Sequence, residues 1–313
     1  MDYSAVDFKQ IRALERQNLI DGIYNKTVES AISAHIGRSW RIEDAYFFPA
    51  QGMMHGAAKF TGGSLSVFVK VSSLSFSNDQ LIQEAYGLTH IREHSSVQAP
   101  EVFGVVTQGN ATLIIMEHIE TKQPETKADW EIMGRGLATL HKSTWDYCGL
   151  NTHSYLGIFK QDNTPTDNWP EFFSKCRLRD TMQMAIDANH ITPQQVSAVE
   201  RLIARLPEIC GPEQPFSLLH GDPWIANLLF DGKRLVLIDC SVYYGNREID
   251  ISTVAFFKPV HDYFFEAYHE CYPIEPGYKE REDLWRINQH LGHVVLFGEK
   301  YHERLMNAVN KYL

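Results

Sequence analysis

Positive charge is in short supply in this chain. Its 29 Lys and Arg are outnumbered by 39 Asp and Glu, leaving a formal net charge of −10. That balance argues against general affinity for nucleic acid or for an anionic membrane surface. Cysteine is sparse as well: Cys148, Cys176, Cys210, Cys240 and Cys271 are odd in number, widely spaced and free of any Cys-x-x-Cys. Such a set excludes a disulfide framework and fits reduced thiols in a cytoplasmic protein. No run approaches the roughly 18 apolar residues of a membrane span. The opening MDYSAVDFKQ has no basic stretch followed by an apolar one, so no secretory signal is evident. Internal repeats and low-complexity tracts are lacking too. The expectation is a cytoplasmic protein without nucleic-acid or membrane partners; the oligomeric state is left open, with a monomer favoured.

What is present is a substantial apolar fraction, 44% of 313 residues, enough for one large or two modest domains. Residues 4–20 and 25–37 show helical spacing, and 40–72 turns β-like, ending in the alternating SLSVFVKVS. Residues 78–94 predict a helix capped by Ser77 or Asn78. Two apolar runs follow, EVFGVV and ATLIIMEHI, parted by the turn signal Gln108-Gly109-Asn110. Beyond IETKQPET the character changes: helices are expected over 126–144, 168–189, 193–206, 248–270 and 278–311. The fold class is therefore α+β with two lobes, a small β-rich one over 1–120 and a larger, mainly helical one over 121–313. A cleft between them is the expected site.

Within the second part, LLHGDPWIANLLFDGKRLVLIDCS alternates short apolar runs with polar clusters, a pattern of three strands with loops between them. Asp222, Asn227 and Asp239 offer three oxygen-bearing side chains and no thiolate. Hard oxygens suit Mg²⁺, which takes one or two carboxylates and completes its shell with phosphate and water. The ordered spacing suggests phosphoryl transfer, with Asp222 taking a proton from a hydroxyl and Asn227 and Asp239 holding the metal against ATP. A metal hydrolase using His220 and Asp222 would need a further His at helical spacing, and none is nearby. His220 reads better as a brace for its loop.

Lys70 lies in the alternating strand, where a lysine commonly reaches solvent from a sheet edge. Glu84, fourteen residues on and mid-helix, offers the alternative of a Lys–Glu pair gripping phosphates. The turn in QGMMHGAAKF carries Gly52 and Gly56, whose N–H groups could approach phosphate. In LIIMEHIE, the main chain from Glu117 to Ile119 is placed to pair with an adenine edge. Arg247 is expected to brace the loop around Asp239, with Glu248 and Asp250 as favourable charges in the first turn of a helix.

Taken together, VFVKV, HGDPWIANLLFDG, LIDCSVYYGNREIDIS, DNWPEFFSKCRL, YPIEPGYKERED and LFGEKY resemble the fructosamine kinase (ketosamine-3-kinase) family. That family is a branch of the protein-kinase-like fold related to aminoglycoside phosphotransferases. The resemblance spans about residues 45–302. It implies Asp222 as catalytic base, Asn227 and Asp239 as Mg²⁺ ligands, and Lys70 with Glu84 on the ATP phosphates. It also implies Trp224 at the sugar-amine site, a residue that could equally anchor the core. The implied substrate is a ketosamine or glycated lysine. Its phosphorylation yields an unstable product and frees the amine, a deglycation repair.

The pattern departs from the family at Pro223, Ala226, Cys240-Ser241 and Asn246, and at Met53, Met54 and His55 in the glycine turn. Cys240 could be an inert buried thiol or a redox-sensitive one. Two other functions fit the same residues: a kinase for another amino-alcohol or aminoglycoside-like compound, and a non-catalytic nucleotide-binding module.

Overall fold

The stretch LSVFVKVS forms the middle of a sheet, not its edge. The structure, a computed structural model, describes residues 7–49 and 55–313. Helices α1 (Phe8–Ile20) and α2 (Asn25–Ile36) precede strands β1 (Asp44–Phe47), β2 (Gly56–Gly62) and β3 (Leu65–Ser72). Helix α3 (Ser77–His94), β4 (Val102–Gln108) and β5 (Ala111–Glu117) complete this part. The five strands are antiparallel in the order β1-β2-β3-β5-β4.

Side chains alternate across a strand, so β3 serves two faces. Val67, Val69 and Val71 join Phe60, Leu113, Ile115 and, from α2, Val28 and Ile32 in one apolar cluster. Phe68 sits on the other face, where Ile114, Met116 and Leu81 and Leu88 of α3 belong to the larger core. Lys70 shares that second face and is 6% exposed. A lysine on a central strand, with so little of its surface exposed, does not reach out from a sheet edge, which removes the edge-strand explanation.

Helix α1 is capped by Asp7, whose carboxylate accepts the Lys9 and Gln10 N–H groups. Helix α3 follows Phe76 and has no side-chain cap, contrary to the expectation for Ser77 or Asn78. Asn78 instead accepts from the Thr107 hydroxyl.

The remainder opens with α4 (Lys127–His141), started by a reciprocal Thr126–Asp129 capping box. It continues through β6 (Thr144–Trp145), β7 (Ser154–Leu156), β8 (Phe159–Gln161), α5 (Trp169–Phe173), a π-helical turn at Ser174–Arg179, α6 (Asp180–Asp187) and α7 (Pro193–Ile209). Then come β9 (Phe216–Leu219), a 3₁₀ turn at Ile225–Asn227, β10 (Leu228–Phe230), β11 (Leu235–Leu237) and β12 (Tyr243–Gly245). Four helices close the chain: α8 (Glu248–Val254), α9 (Asp262–Cys271), α10 (Tyr278–Phe297) and α11 (His302–Asn310).

Strands β10 and β11 form a hairpin, while β9 pairs with β6 and β12 in a separate sheet. The expected helix over 248–270 is two helices: α8 stops at Val254 and α9 begins at Asp262, with Pro259 in the stretch between them. The one over 278–311 breaks at Gly298, which adopts a φ of 57°. No helix among the described residues is long and apolar enough to cross a membrane.

Helices α4 and α9 meet at Gly134, where an added Cβ would lie 2.0 Å from the Phe264 carbonyl oxygen. Backbone cannot yield as a side-chain tip can. Gly134→Ala is expected to destabilise the protein by about 1–3 kcal/mol in urea titrations; an unchanged midpoint would refute this packing.

Candidate active site

Lys70 reaches across the sheet face to α3 and to the segment following β11. Its Nζ lies 2.6 Å from Glu84 Oε1 and 2.5 Å from Asp239 Oδ1. Burial alone would strip the ammonium of its proton, but the Asp239 and Glu84 carboxylates outweigh it and hold the lysine above its ordinary pKa. Burial raises Glu84, whereas Lys70 overcomes the same effect at Asp239 and keeps that carboxyl low. His55 is buried close by, and burial together with the lysine charge lowers it to about 3. It is thus a neutral neighbour. Asp239 itself has a φ of 53°, in the left-handed region that few non-glycine residues occupy.

The loop between β9 and β10 carries the other polar residues. Asp250, buried in α8, accepts the His220 N–H at 2.7 Å and the Gly221 N–H at 3.1 Å. Gly221 has a φ of 84°, and an added Cβ would lie 2.1 Å from Ser241 O, so glycine is required there. His220 Nδ1 accepts the Asp222 N–H at 3.2 Å. Its Nε2 must therefore carry the proton, which it donates to Ile238 O at 2.9 Å. The imidazole spans the loop and the strand end before Asp239, the bracing role expected of it.

Asn227 Nδ2 donates to Asp222 O at 3.0 Å and Oδ2 at 3.3 Å. This leaves Asn227 Oδ1 and Asp239 Oδ2 without hydrogen bonds to described residues. Both are hard oxygens, the donor chemistry Mg²⁺ takes. Among the described residues, no cluster of three or more His, Cys, Asp or Glu could hold a metal alone. Both ring nitrogens of His220 are committed, Nδ1 to the Asp222 N–H and Nε2 to Ile238 O, which counts against the hydrolase arrangement. Burial, then the charges on Asp239 and Asp250, push the Asp222 carboxyl up to about 7.

Five expected residues thus converge: Lys70, Glu84, Asp222, Asn227 and Asp239. Trp224 lies in the same loop with its ring edge-on to Phe257, centroids 5.2 Å apart. Phe257 is half-exposed and also meets His293 at 5.5 Å. At the end of β5 the Glu117 and His118 N–H groups are used by Glu101 O and Ser66 O, while the Ile119 N–H has no partner among the described residues. Beside this segment is an open cavity of about 410 Å³ lined by Phe48, Lys59, His118 and Glu120.

Gly52 lies outside the described residues, as do Met53 and Met54. The Gly56 N–H donates to Glu15 Oε2 of α1 at 2.9 Å, so it faces that helix and not a phosphate. Arg247 does not brace the Asp239 loop. It bonds Tyr268, Tyr272 O and Pro273 O at the end of α9. Nor are Glu248 and Asp250 simple first-turn charges. Glu248 is buried against Arg281 and Trp285, and Asp250 holds the loop backbone. Sequence carried no clear sign of either role, since the full burial of this helix shows only in the fold. Cys240 is buried and burial pushes its thiol up, which makes it unreactive.

A family model described as Fructosamine kinase matches residues 24–313. The chain belongs to that family. It is an ATP-dependent kinase for a small-molecule substrate, built on the protein-kinase-like fold. A candidate ketoamine kinase of Vibrio parahaemolyticus is 30% identical over 80% of this chain and 86% of that one. Protein-ribulosamine 3-kinase of Oryza sativa is 29% identical over 84% and 77%. The crystal structure of a candidate fructosamine-3-kinase from Thermobifida fusca superposes with a TM-score of 0.80 at 26% identity, covering 91% and 98%. The matched span exceeds the one expected, yet starts after α1.

Asp250→Ala leaves two buried N–H groups without an acceptor, at about 1–3 kcal/mol. Thermal unfolding should show that loss together with a fall in turnover. Wild-type behaviour in both would refute the role given to Asp250.

Proposed function

We propose that this kinase transfers the γ-phosphoryl group of Mg²⁺-ATP to the 3-hydroxyl of a fructosamine or ribulosamine, and so serves deglycation repair in the cytoplasm. The observation carrying this reading is the convergence of Lys70, Glu84 and Asp239 with Asp222 and Asn227. The relatives named for ketoamine and ribulosamine supply the acceptor class.

Each residue has a part. Lys70, kept ionised by Glu84, binds phosphate oxygens. Asn227 Oδ1 and Asp239 would hold Mg²⁺, which supplies charge neutralisation at the transferred group. Asp222 orients the sugar hydroxyl and accepts its proton as that oxygen bonds to phosphorus and ADP departs. Its environment suits this, since a base near pH 7 needs an elevated carboxyl. Trp224 and Phe257 present aromatic faces where the amine-bearing end of the ketosamine or glycated lysine would lie. The Ile119 N–H and the Glu117 carbonyl would pair with an adenine edge. We take the division between lobes to fall after Glu120, where the sheet has ended and α4 has yet to begin. Such catalysis consists mainly of positioning and charge stabilisation.

Asp222→Asn keeps the shape and removes the base. Turnover with fructosyl-lysine or ribulosyl-lysine is expected to fall about 10²-fold or more, with the KM for ATP little changed. Near wild-type turnover in that variant would refute Asp222 as the base.

A further inference from the structure

A small hairpin outside the catalytic loop ties together the two elements that supply the carboxylates to Lys70. Strands β7 and β8 pair from Ser154↔Gln161 to Leu156↔Phe159. One side of this hairpin grips the first turns of α3. Asp79 Oδ2 accepts from His153 Nε2 at 2.8 Å, Tyr155 OH at 2.7 Å and Lys160 Nζ at 3.2 Å. Gln80 Nε2 donates to Gly157 O at 2.8 Å, and the Thr152 hydroxyl donates to Gln83 Oε1 at 2.9 Å. The Tyr155 ring stacks on Phe76, with planes 3° apart. Gln80 lies one helical turn before Glu84 and on the same face.

The opposite face of the hairpin holds the segment after Asp239. The Ser241 hydroxyl lies 2.9 Å from Ser154 Oγ and donates to Gln161 Oε1 at 3.0 Å. All three side chains are buried. Ser241 N–H also donates to His220 O at 2.8 Å, which links the same residue to the catalytic loop.

From these contacts we infer that the β7–β8 hairpin is a strut that sets the spacing of Glu84 and Asp239 around Lys70, with Asp79 and Ser241 as its positioning residues. In protein kinases the corresponding Lys–Glu pairing depends on where the helix sits, and a phosphorylated loop controls it. Here the chain passes from Asp239 into β12 (Tyr243–Gly245) almost at once, leaving no room for a long switching loop. The strut holds that spacing through contacts of the fold itself. The inference rests on the site assignment given above for Lys70, Glu84 and Asp239.

The test combines hydrogen exchange of the full-length protein with turnover of fructosyl-lysine. In Asp79→Ala the amides of α3 should exchange about tenfold faster or more, while those of α4 and α9 stay as they were. Turnover should drop about tenfold or more with little change in KM for the ketosamine. Asp79→Asn, which keeps an acceptor oxygen, should restore most of both. Asp79 and Ser241 do not touch, so unconnected roles predict that the losses in Asp79→Ala and Ser241→Ala multiply. A single strut predicts a double variant scarcely worse than the weaker single one.

Unchanged exchange of α3 in Asp79→Ala, or multiplying losses, overturns the strut. A wild type that turns over no ketosamine, with α3 still loosened in Asp79→Ala, supports the strut and removes the substrate assignment alone.

Discussion

An ammonium group enclosed by two carboxylates from distant parts of the chain organises this molecule. Lys70 reaches Glu84 over 14 residues and Asp239 over 169. Lys70 and Glu84 are buried, and burial favours the neutral form of each, while Asp239, whose side chain is 47% exposed, supplies the second carboxylate from the solvent side. Their mutual dependence makes the central strand, α3 and the end of the β10–β11 hairpin a single electrostatic unit. Wherever one of these elements shifts, a buried charge loses its partner.

The catalytic loop depends on a second kind of constraint, capture of its backbone. Asp250 holds two consecutive N–H groups, and His220 ties the loop to Ile238 O beside Asp239. Both anchors converge on the residues that face the ammonium. Helix α8 makes this possible because all seven of its residues are buried. Asp250 faces the loop from one side of that helix, while Glu248 engages Arg281 and Trp285 of α10 from the other. The helix therefore connects the loop to the helical scaffold. Burying two acids there is tolerable because each is fully hydrogen-bonded.

Much of this was legible in the sequence, for identifiable reasons. Lys70, Glu84, Asp222, Asn227 and Asp239 stand at spacings that phosphoryl transfer imposes, and long periodic segments such as α3, α7 and α10 announce themselves. The convergence of α8 residues on the loop was not legible, because an acid near a helix start reads first as a dipole partner. Arg247 was misread for a related reason: sequence proximity to Asp239 suggested a contact that the chain's turn into α8 directs elsewhere. The three-residue strands β7 and β8 are too short to show a period, so their place against α3 emerged only in three dimensions. Gly56 looked like a phosphate turn, yet its amide answers Glu15 from a helix that precedes the matched family region.

The measurement that bears most directly on the proposed reaction is the position of the transferred phosphate. Fructosyl-lysine and ribulosyl-lysine would be incubated with the protein and Mg²⁺-ATP, and the products read by phosphorus–proton correlation NMR. The account predicts a phosphate coupled to the proton on the third sugar carbon. Phosphate on a different hydroxyl, or none on either substrate while ATP still binds, would contradict it.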